Sequence, residues 1–176
     1  MNKLACELRL RREVAAWSDK ILDDAVEFAK THQPIFVGRY PVVGNSQLYG
    51  LMNLVQNTSN FGKVRYFTNH QARKAAARGS ADRYKDAEEF WLTVGKKLNE
   101  LSIAARSLTD ESGFSDLPKA DCPEIDDLHR TLAVEYLQHL TAEVLFISQQ
   151  EAEHQRQPRR GNQPPRNRRN STTNRR

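Results

Sequence analysis

The chain has 176 residues, 27 of them Lys or Arg and 22 Asp or Glu, with a formal net charge of +5. That length suits one domain plus a tail. The sequence contains neither the ~20 consecutive apolar residues that cross a bilayer nor the apolar core of a signal peptide, so we expect a cytoplasmic protein with no membrane contact. Cys6 and Cys122 are too few for a disulfide framework or a zinc site, and no cofactor is expected.

The charges are separated along the chain. The stretch from Arg156 to Arg176 holds eight arginines and no acid, which leaves 19 basic and 22 acidic residues before it. Residues 63–85 hold seven basic residues and one acid, whereas residues 110–155 hold eleven acids and two basic residues. Such blocks are typical of a protein that lays one face on a polyanion and keeps another face away from it.

Apolar spacing predicts a first helix over residues 4–31, which should end before Pro34. Its proposed buried stripe is Leu4, Leu8, Trp17, Ile21, Ala25 and Phe28. Residues 32–46 form a loop broken by prolines and glycines. Four apolar residues of this loop are expected to pack on the body, namely Ile35, Phe36, Val42 and Val43.

Asn45 or Ser46 is a candidate N-cap for a second helix that ends near Gln56. Residues 57–60 form a turn with a new cap, and a third helix follows from Phe61 to Arg78. The predicted apolar face of the third helix is Phe61, Val64, Phe67, Gln71 or Ala72, and Ala75. Gly79 then provides the usual residue after a helix end.

A seven-residue repeat predicts the fourth helix, which is the longest regular pattern in the chain. Its members are Tyr84, Ala87, Trp91, Val94, Leu98, Leu101, Ala105 and Leu108. Gly95 interrupts this helix at a cost of about 1 kcal/mol relative to Ala, which indicates a close approach by another helix.

Residues 109–123 are expected to be an acidic loop, and a fifth helix starts near Pro123 or Glu124. Its core face is Ile125, Leu128, Leu132, Tyr136, Leu140, Val144 and Ile147. The sequence therefore predicts an all-α protein, a compact bundle of about five helices over residues 1–155. Residues 156–176 lack aliphatic and aromatic side chains and are predicted to be a disordered basic tail.

The third helix and the tail are the candidate RNA-binding elements. Arginine and lysine neutralise phosphates, while tyrosine and histidine stack on unpaired bases. The candidate residues of the body are Lys63, Arg65, Tyr66, Asn69, His70, Arg73, Lys74, Arg78 and Arg83. Those of the tail are Arg159, Arg160, Arg166, Arg168 and Arg169. The plainer interpretations are an ordinary solvated helix face and a solubilising tail.

The sequence contains no convincing catalytic or metal-binding pattern. His129, His139 and His154 share the fifth helix, but their spacing does not build a metal pair. Glu135 and His139 stand four residues apart, which is more typical of a surface contact than of an acid–base pair. We therefore expect no enzymatic activity and no bound metal.

Two stretches resemble the helical small subunits of type III CRISPR effector complexes. They read NSQLYGLMNLVQ at Asn45–Gln56 and VRYFTNHQARK at Val64–Lys74, and EYLQHLTA at Glu135–Ala142 is similar to a closing helix of the same kind. The chain departs from that pattern at Tyr49, where an arginine is expected, and in its arginine-rich tail.

The resemblance implies a five-helix bundle without active-site residues, built into a ribonucleoprotein complex for antiviral defence. Copies would stack head to tail in a filament, hold guide RNA paired with target RNA, and support neighbouring effector subunits. On this resemblance, Arg65, Arg73, Lys74 and Arg78 would meet the RNA backbone, and the acidic residues 110–127 would meet protein neighbours. The comparison depends on Gln71 and the basic residues around it lying in the matching helix.

Two other functions remain open at this point. A free-standing, non-specific nucleic-acid-binding protein would use the same chemistry without partner subunits. A helical protein–protein adaptor would instead use the fourth helix as its functional surface.

Overall fold

The computed structural model describes residues 3–58 and 60–156 and contains five α-helices within them. These are α1 (Lys3–Thr31), α2 (Asn45–Asn57), α3 (Phe61–Ala76), α4 (Asp82–Glu111) and α5 (Ile125–Arg156). No strand occurs in this described part, which confirms the all-α prediction. Arg156, where the tail was predicted to begin, is still part of α5, and the rest of the predicted tail, residues 157–176, lies outside the described residues.

Contacts between the ends of the long helices define their relative directions. Phe28 of α1 stacks on Phe90 of α4 with ring centres 5.3 Å apart, while Cys6, near the start of α1, donates to the Gly113 carbonyl at 3.7 Å, just after the end of α4. The two helices are therefore antiparallel. Thr109, near the end of α4, shares a cleft with Ile125 at the start of α5, whereas Lys97, earlier in α4, lies 5.8 Å from the ring centre of Tyr136, later in α5. Helices α4 and α5 therefore also run in opposite directions.

The core lies where α3, α4 and α5 meet α1 and α2. Predicted members of the α4 repeat from Ala87 to Leu108 are buried, and Tyr84 is half-buried. On α5, Leu132, Tyr136, Leu140 and Val144 are almost fully buried. The spacing of apolar residues thus identified the interior faces of both helices.

The first turns of α1 contradict the predicted stripe, because Leu4 is 63% and Leu8 50% exposed. The residues that pack inward there are Cys6, Leu10 and Val14. Leu8 and Trp17 stand nine residues apart, and at about 100° per residue this spacing places them on opposite sides of a helix.

The segment between α1 and α2 contains a short 3₁₀ turn, Gln33–Ile35, and packs by its apolar residues. Ile35, Phe36, Val42 and Val43 are all buried, as predicted. The cap prediction for α2 was wrong by one residue or more, since the N-cap is Gly44. The Gln47 side chain accepts a hydrogen bond from the Gly44 backbone N–H at 2.9 Å, and this contact sets the start of the helix.

The acidic loop is shorter than predicted, because α4 continues through Glu111 before two 3₁₀ turns at Phe114–Asp116 and Lys119–Asp121. In the described residues, no helix combines the length and apolar character that crossing a bilayer requires.

Candidate nucleic-acid interface

Helix α3 has one face in the core and one face in solvent. Asn60 caps its start by accepting a hydrogen bond from the Gly62 N–H at 2.8 Å, as the predicted new cap requires. Val64, Thr68, Ala72 and Ala75 are buried, and with them Gln71. The helix ends at Ala76, two residues before the predicted end.

The solvent side of α3 carries two adjacent rows of side chains four residues apart. One row is Arg65, Asn69 and Arg73, and the other is Tyr66, His70 and Lys74. All are exposed except Asn69, which is half-buried. Because residues four apart lie one turn above each other, each row forms a line along the helix. We call these six residues and Lys63 the α3 outer face.

Two aromatic side chains belong to this face. Tyr66 is 73% exposed, and its ring is parallel to that of His70 within 3°, with ring centres 6.3 Å apart. Both rings stand among cations, so the surface combines charge with flat apolar area. Unpaired bases stack on surfaces of this kind.

The cations of the α3 outer face are not neutralised within the described residues. Ion pairs there join Lys85 to Asp82, Lys96 to Glu100, Lys97 to Asp24 and Arg130 to Asp127. None of these pairs includes Lys63, Arg65, Arg73 or Lys74. The acidic residues 110–127 therefore leave these four charges available to a ligand.

Beside Arg65, a cleft of about 260 Å³ separates α3 from α4. Arg65 and Asn69 line it from α3, and Lys96 and Asn99 line it from α4. Gly95 lies in this cleft next to Thr68, and an added Cβ at Gly95 would stand 2.4 Å from the Thr68 hydroxyl oxygen. The predicted close approach at Gly95 is confirmed, and it brings cations and amides of two helices to one opening.

Lys96 and Asn99 were not among the residues selected from the sequence. Their positions on the polar side of α4 carry no sign of which neighbour they adjoin. Gly95 was the available signal, because a glycine that admits another helix also places the residues beside it next to that helix.

Arg78 and Arg83 differ from the α3 outer face with which they were grouped. The Arg78 guanidinium donates to the Val42 carbonyl at 3.4 Å, and that of Arg83 donates to the Tyr40 carbonyl at 2.8 Å. Arg78 follows the end of α3, so it no longer continues either row. Arg78, in the turn after α3, and Arg83, in the first turn of α4, instead attach this end of the two helices to the loop before α2.

Gln71, on which the family resemblance depends, lies in α3 but faces the core. It is 9% exposed, and its side-chain oxygen accepts a hydrogen bond from the Gln47 amide at 2.8 Å. Gln47 in turn accepts from Gly44. This chain of hydrogen bonds joins α2 to α3 and gives Gln71 a structural role.

The histidines of α5 occupy structural positions. His129 is buried and stacks on Phe61 with ring centres 3.7 Å apart. His139 and Glu135 both contact the Ser18 hydroxyl, at 2.9 and 3.3 Å, and so join α5 to α1. Among the residues the structure describes, no group of three His, Cys, Asp or Glu side chains is placed to hold a metal ion.

Arg159, Arg160, Arg166, Arg168 and Arg169 lie outside the described residues, and their predicted role stays a prediction. No family model, curated protein or solved structure matches the chain.

Proposed function

We propose that this protein is a non-catalytic RNA-binding protein that holds an RNA strand on the α3 outer face. The single observation behind the proposal is a helix of 16 residues whose exposed cations have no ion pair in the described residues. Cations arranged in a line along a helix neutralise successive phosphates and release their counterions.

The surroundings of this face support the same function. Across the cleft, α4 adds the Asn99 amide and the Lys96 side chain, which also lies 3.8 Å from the Glu100 carboxylate. Tyr66 and His70 provide flat rings among the cations. The combination of cations with rings is the usual composition of surfaces that bind single strands.

The test replaces Arg65, Arg73 and Lys74 together by glutamine. The expected result is an affinity for RNA lowered more than about tenfold at low salt. The log–log dependence of affinity on salt concentration should become shallower by about 2 to 3, because each of the three lost phosphate contacts removes ~0.7 to ~0.9 from the slope. Fluorescence anisotropy with labelled RNA at several salt concentrations measures both quantities.

The matched control replaces Arg9, Arg12 and Lys20 of α1 by glutamine. These residues are also exposed, and the variant makes the same change in net charge. If both variants lose RNA affinity equally, the binding depends on net charge alone and the α3 outer face is not the site. Unchanged affinity in the α3 variant would overturn the proposal.

The narrower proposal is that the protein is a structural subunit of a type III CRISPR-like ribonucleoprotein complex, and it rests on the resemblance within residues 45–150, carried by Asn45–Gln56, Val64–Lys74 and Glu135–Ala142. Purification of the tagged chain from its native host tests it. Guide RNA and larger effector proteins should co-purify. A homogeneous oligomer with mixed RNA would identify a free-standing binder instead, and protein partners retained by the α3 glutamine variant without RNA would identify an adaptor.

A further inference from the structure

One corner of the bundle presents arginine and tyrosine side chains together. Arg39 and Tyr40 come from the loop before α2, Arg78 comes from the turn after α3, and Arg83 comes from the first turn of α4. We call these four residues the arginine–tyrosine corner. Only Arg78 and Arg83 were predicted from the sequence as RNA-binding residues, because nothing in the sequence indicates that the loop lies against this part of the chain.

The loop is held in place from both sides. The N–H groups of Val42 and Val43 donate to the Ile35 carbonyl at 2.9 and 3.1 Å, and both valines are buried. Arg83 holds the Tyr40 carbonyl at 2.8 Å. The backbone of Tyr40 is therefore constrained before any ligand arrives, which lowers the ordering cost of binding.

The Tyr40 side chain nevertheless stands in solvent. It is 74% exposed, more than any other large hydrophobic residue in the described part of the chain. The Arg39 guanidinium carbon lies 5.5 Å from the centre of the Tyr40 ring. A constrained backbone thus displays an open aromatic ring beside a cation.

The acids nearby leave the corner positive. Asp82 pairs with Lys85 at 3.7 Å, and the charge of Asp86 acts on His32, whose pKa is lowered by burial more than Asp86 raises it. Within the described residues no ion pair includes Arg39, Arg78 or Arg83. Positive charge around an exposed ring favours a ligand that offers both a flat base and a phosphate.

We propose that the arginine–tyrosine corner is a second binding site, which takes one unpaired nucleotide of an RNA strand. The base of this nucleotide stacks on the Tyr40 ring. The phosphates on either side of the nucleotide contact Arg39 and the part of the Arg83 guanidinium that does not bond the Tyr40 carbonyl. The inference rests on the proposed function for its choice of RNA as ligand, but it assigns a site separate from the α3 outer face.

The test compares Tyr40→Ala with Tyr49→Ala in the full chain. Tyr40→Ala removes the ring and keeps the carbonyl that Arg83 holds, whereas Tyr49 is an exposed tyrosine of α2 that serves as the matched control. The probes are a labelled single-stranded oligouridylate and a blunt RNA duplex of the same length.

Tyr40→Ala is expected to lower affinity for the single strand about 5- to 150-fold, as loss of one stacked base does, and to change duplex affinity much less. Tyr40→Phe should retain affinity. Arg39→Gln, a change at an exposed side chain, should make the single-strand salt dependence shallower by about 0.7.

Failure of this inference is distinguishable from failure of the proposed function. Unchanged single-strand affinity in Tyr40→Ala, or an equal loss in Tyr49→Ala or on the duplex, overturns the corner site. If the glutamine variant of α3 still loses binding in that case, the proposed function stands. An unchanged salt slope in Arg39→Gln also counts against the corner, and that variant does not depend on replacing the tyrosine.

Discussion

Helices α3 and α4 pack against each other, yet they differ in whether their lysines and arginines form ion pairs. Lys85 and Lys96 of α4 have acids three or four residues away, and Lys97 reaches Asp24 of α1 at 2.8 Å. Helix α3 contains no acid at all between Phe61 and Ala76. Its cations add no stability through ion pairs in the described structure, and they repel each other slightly.

The difference indicates what each set of charges does. Exposed ion pairs contribute about 0 to 1 kcal/mol, so α4 gains little stability from its pairs, but Lys85, Lys96 and Lys97 are each compensated by an acid. The α3 cations keep their full field toward solvent. A surface that departs from the local pattern of charge compensation is where function is expected.

The largest expected effect concerns the contact that joins the two helices. Gly95→Ala places a Cβ 2.4 Å from the Thr68 oxygen and 3.2 Å from the Thr68 Cβ. We expect the free energy of unfolding to fall by about 1 to 3 kcal/mol, more than the helix propensity gained. Urea denaturation measures the change.

Two further variants check the cause of that loss. Adding Thr68→Ala to Gly95→Ala should recover part of the stability, because the closest atom is then gone. Gly50→Ala is the control, since the nearest atom to its added Cβ is 3.9 Å away, on Phe67. Comparable destabilisation at Gly50 would show that the crowded contact is not the reason.

The next prediction concerns a variant that gives α3 an acid beside its cations, as α4 has. Asn69→Glu places a carboxylate four residues from both Arg65 and Arg73. We expect RNA affinity to fall about tenfold as both cations gain a partner, while the helix gains ~0.2 to ~0.5 kcal/mol for each pair. Anisotropy and thermal unfolding measure the two opposite changes.

Asn69→Gln separates charge from size in this experiment, because it lengthens the side chain without adding charge. It should bind RNA nearly as well as the natural sequence. Full RNA affinity in Asn69→Glu would contradict the view that uncompensated charge distinguishes α3 from α4.

The smallest expected effect is a change in how protein stability depends on pH, and it involves His32, which packs against Phe90 of α4. Burial lowers the pKa of His32, against an opposing effect of Glu89 and Asp86. The His32 imidazole is therefore protonated at lower pH in the folded protein than in the unfolded chain. The contribution of His32 to stability is fully present above its ordinary pKa of about 6.5 and is lost as pH falls through the lowered value.

His32→Gln should therefore show a smaller loss of unfolding free energy between pH 7.5 and pH 5 than the natural sequence. His154→Gln is the control, because that histidine is exposed on α5. An identical pH dependence in His32→Gln and the natural sequence would rule out His32 as a source of the acid sensitivity.

Much of the fold was predictable because the helices carry strong local patterns. The repeat from Ala87 to Leu108 located the buried face of α4, and Asn60 marked the start of α3. The errors arose where more than one set of apolar residues has helical spacing, so that the sequence allows more than one buried face. Leu4 and Leu8 are apolar and well spaced from each other, but neither is in phase with Trp17.

The candidate site was predicted in part for a similar reason. Arg65, Tyr66 and Arg73 follow from helical spacing alone, which places them on the solvent side of α3. Arg78 could not be assigned in this way, because its hydrogen bond to Val42 joins residues that are 36 positions apart.

By itself, the sequence determined that the protein is helical, which faces of its helices are apolar, and that α3 carries cations without acids. Those properties depend on residues within one or two turns of each other. Only the tertiary structure decided that Lys96 and Asn99 adjoin Arg65, and that Tyr40 lies beside Arg83. Such neighbours are brought together by packing between distant segments, which local spacing does not encode.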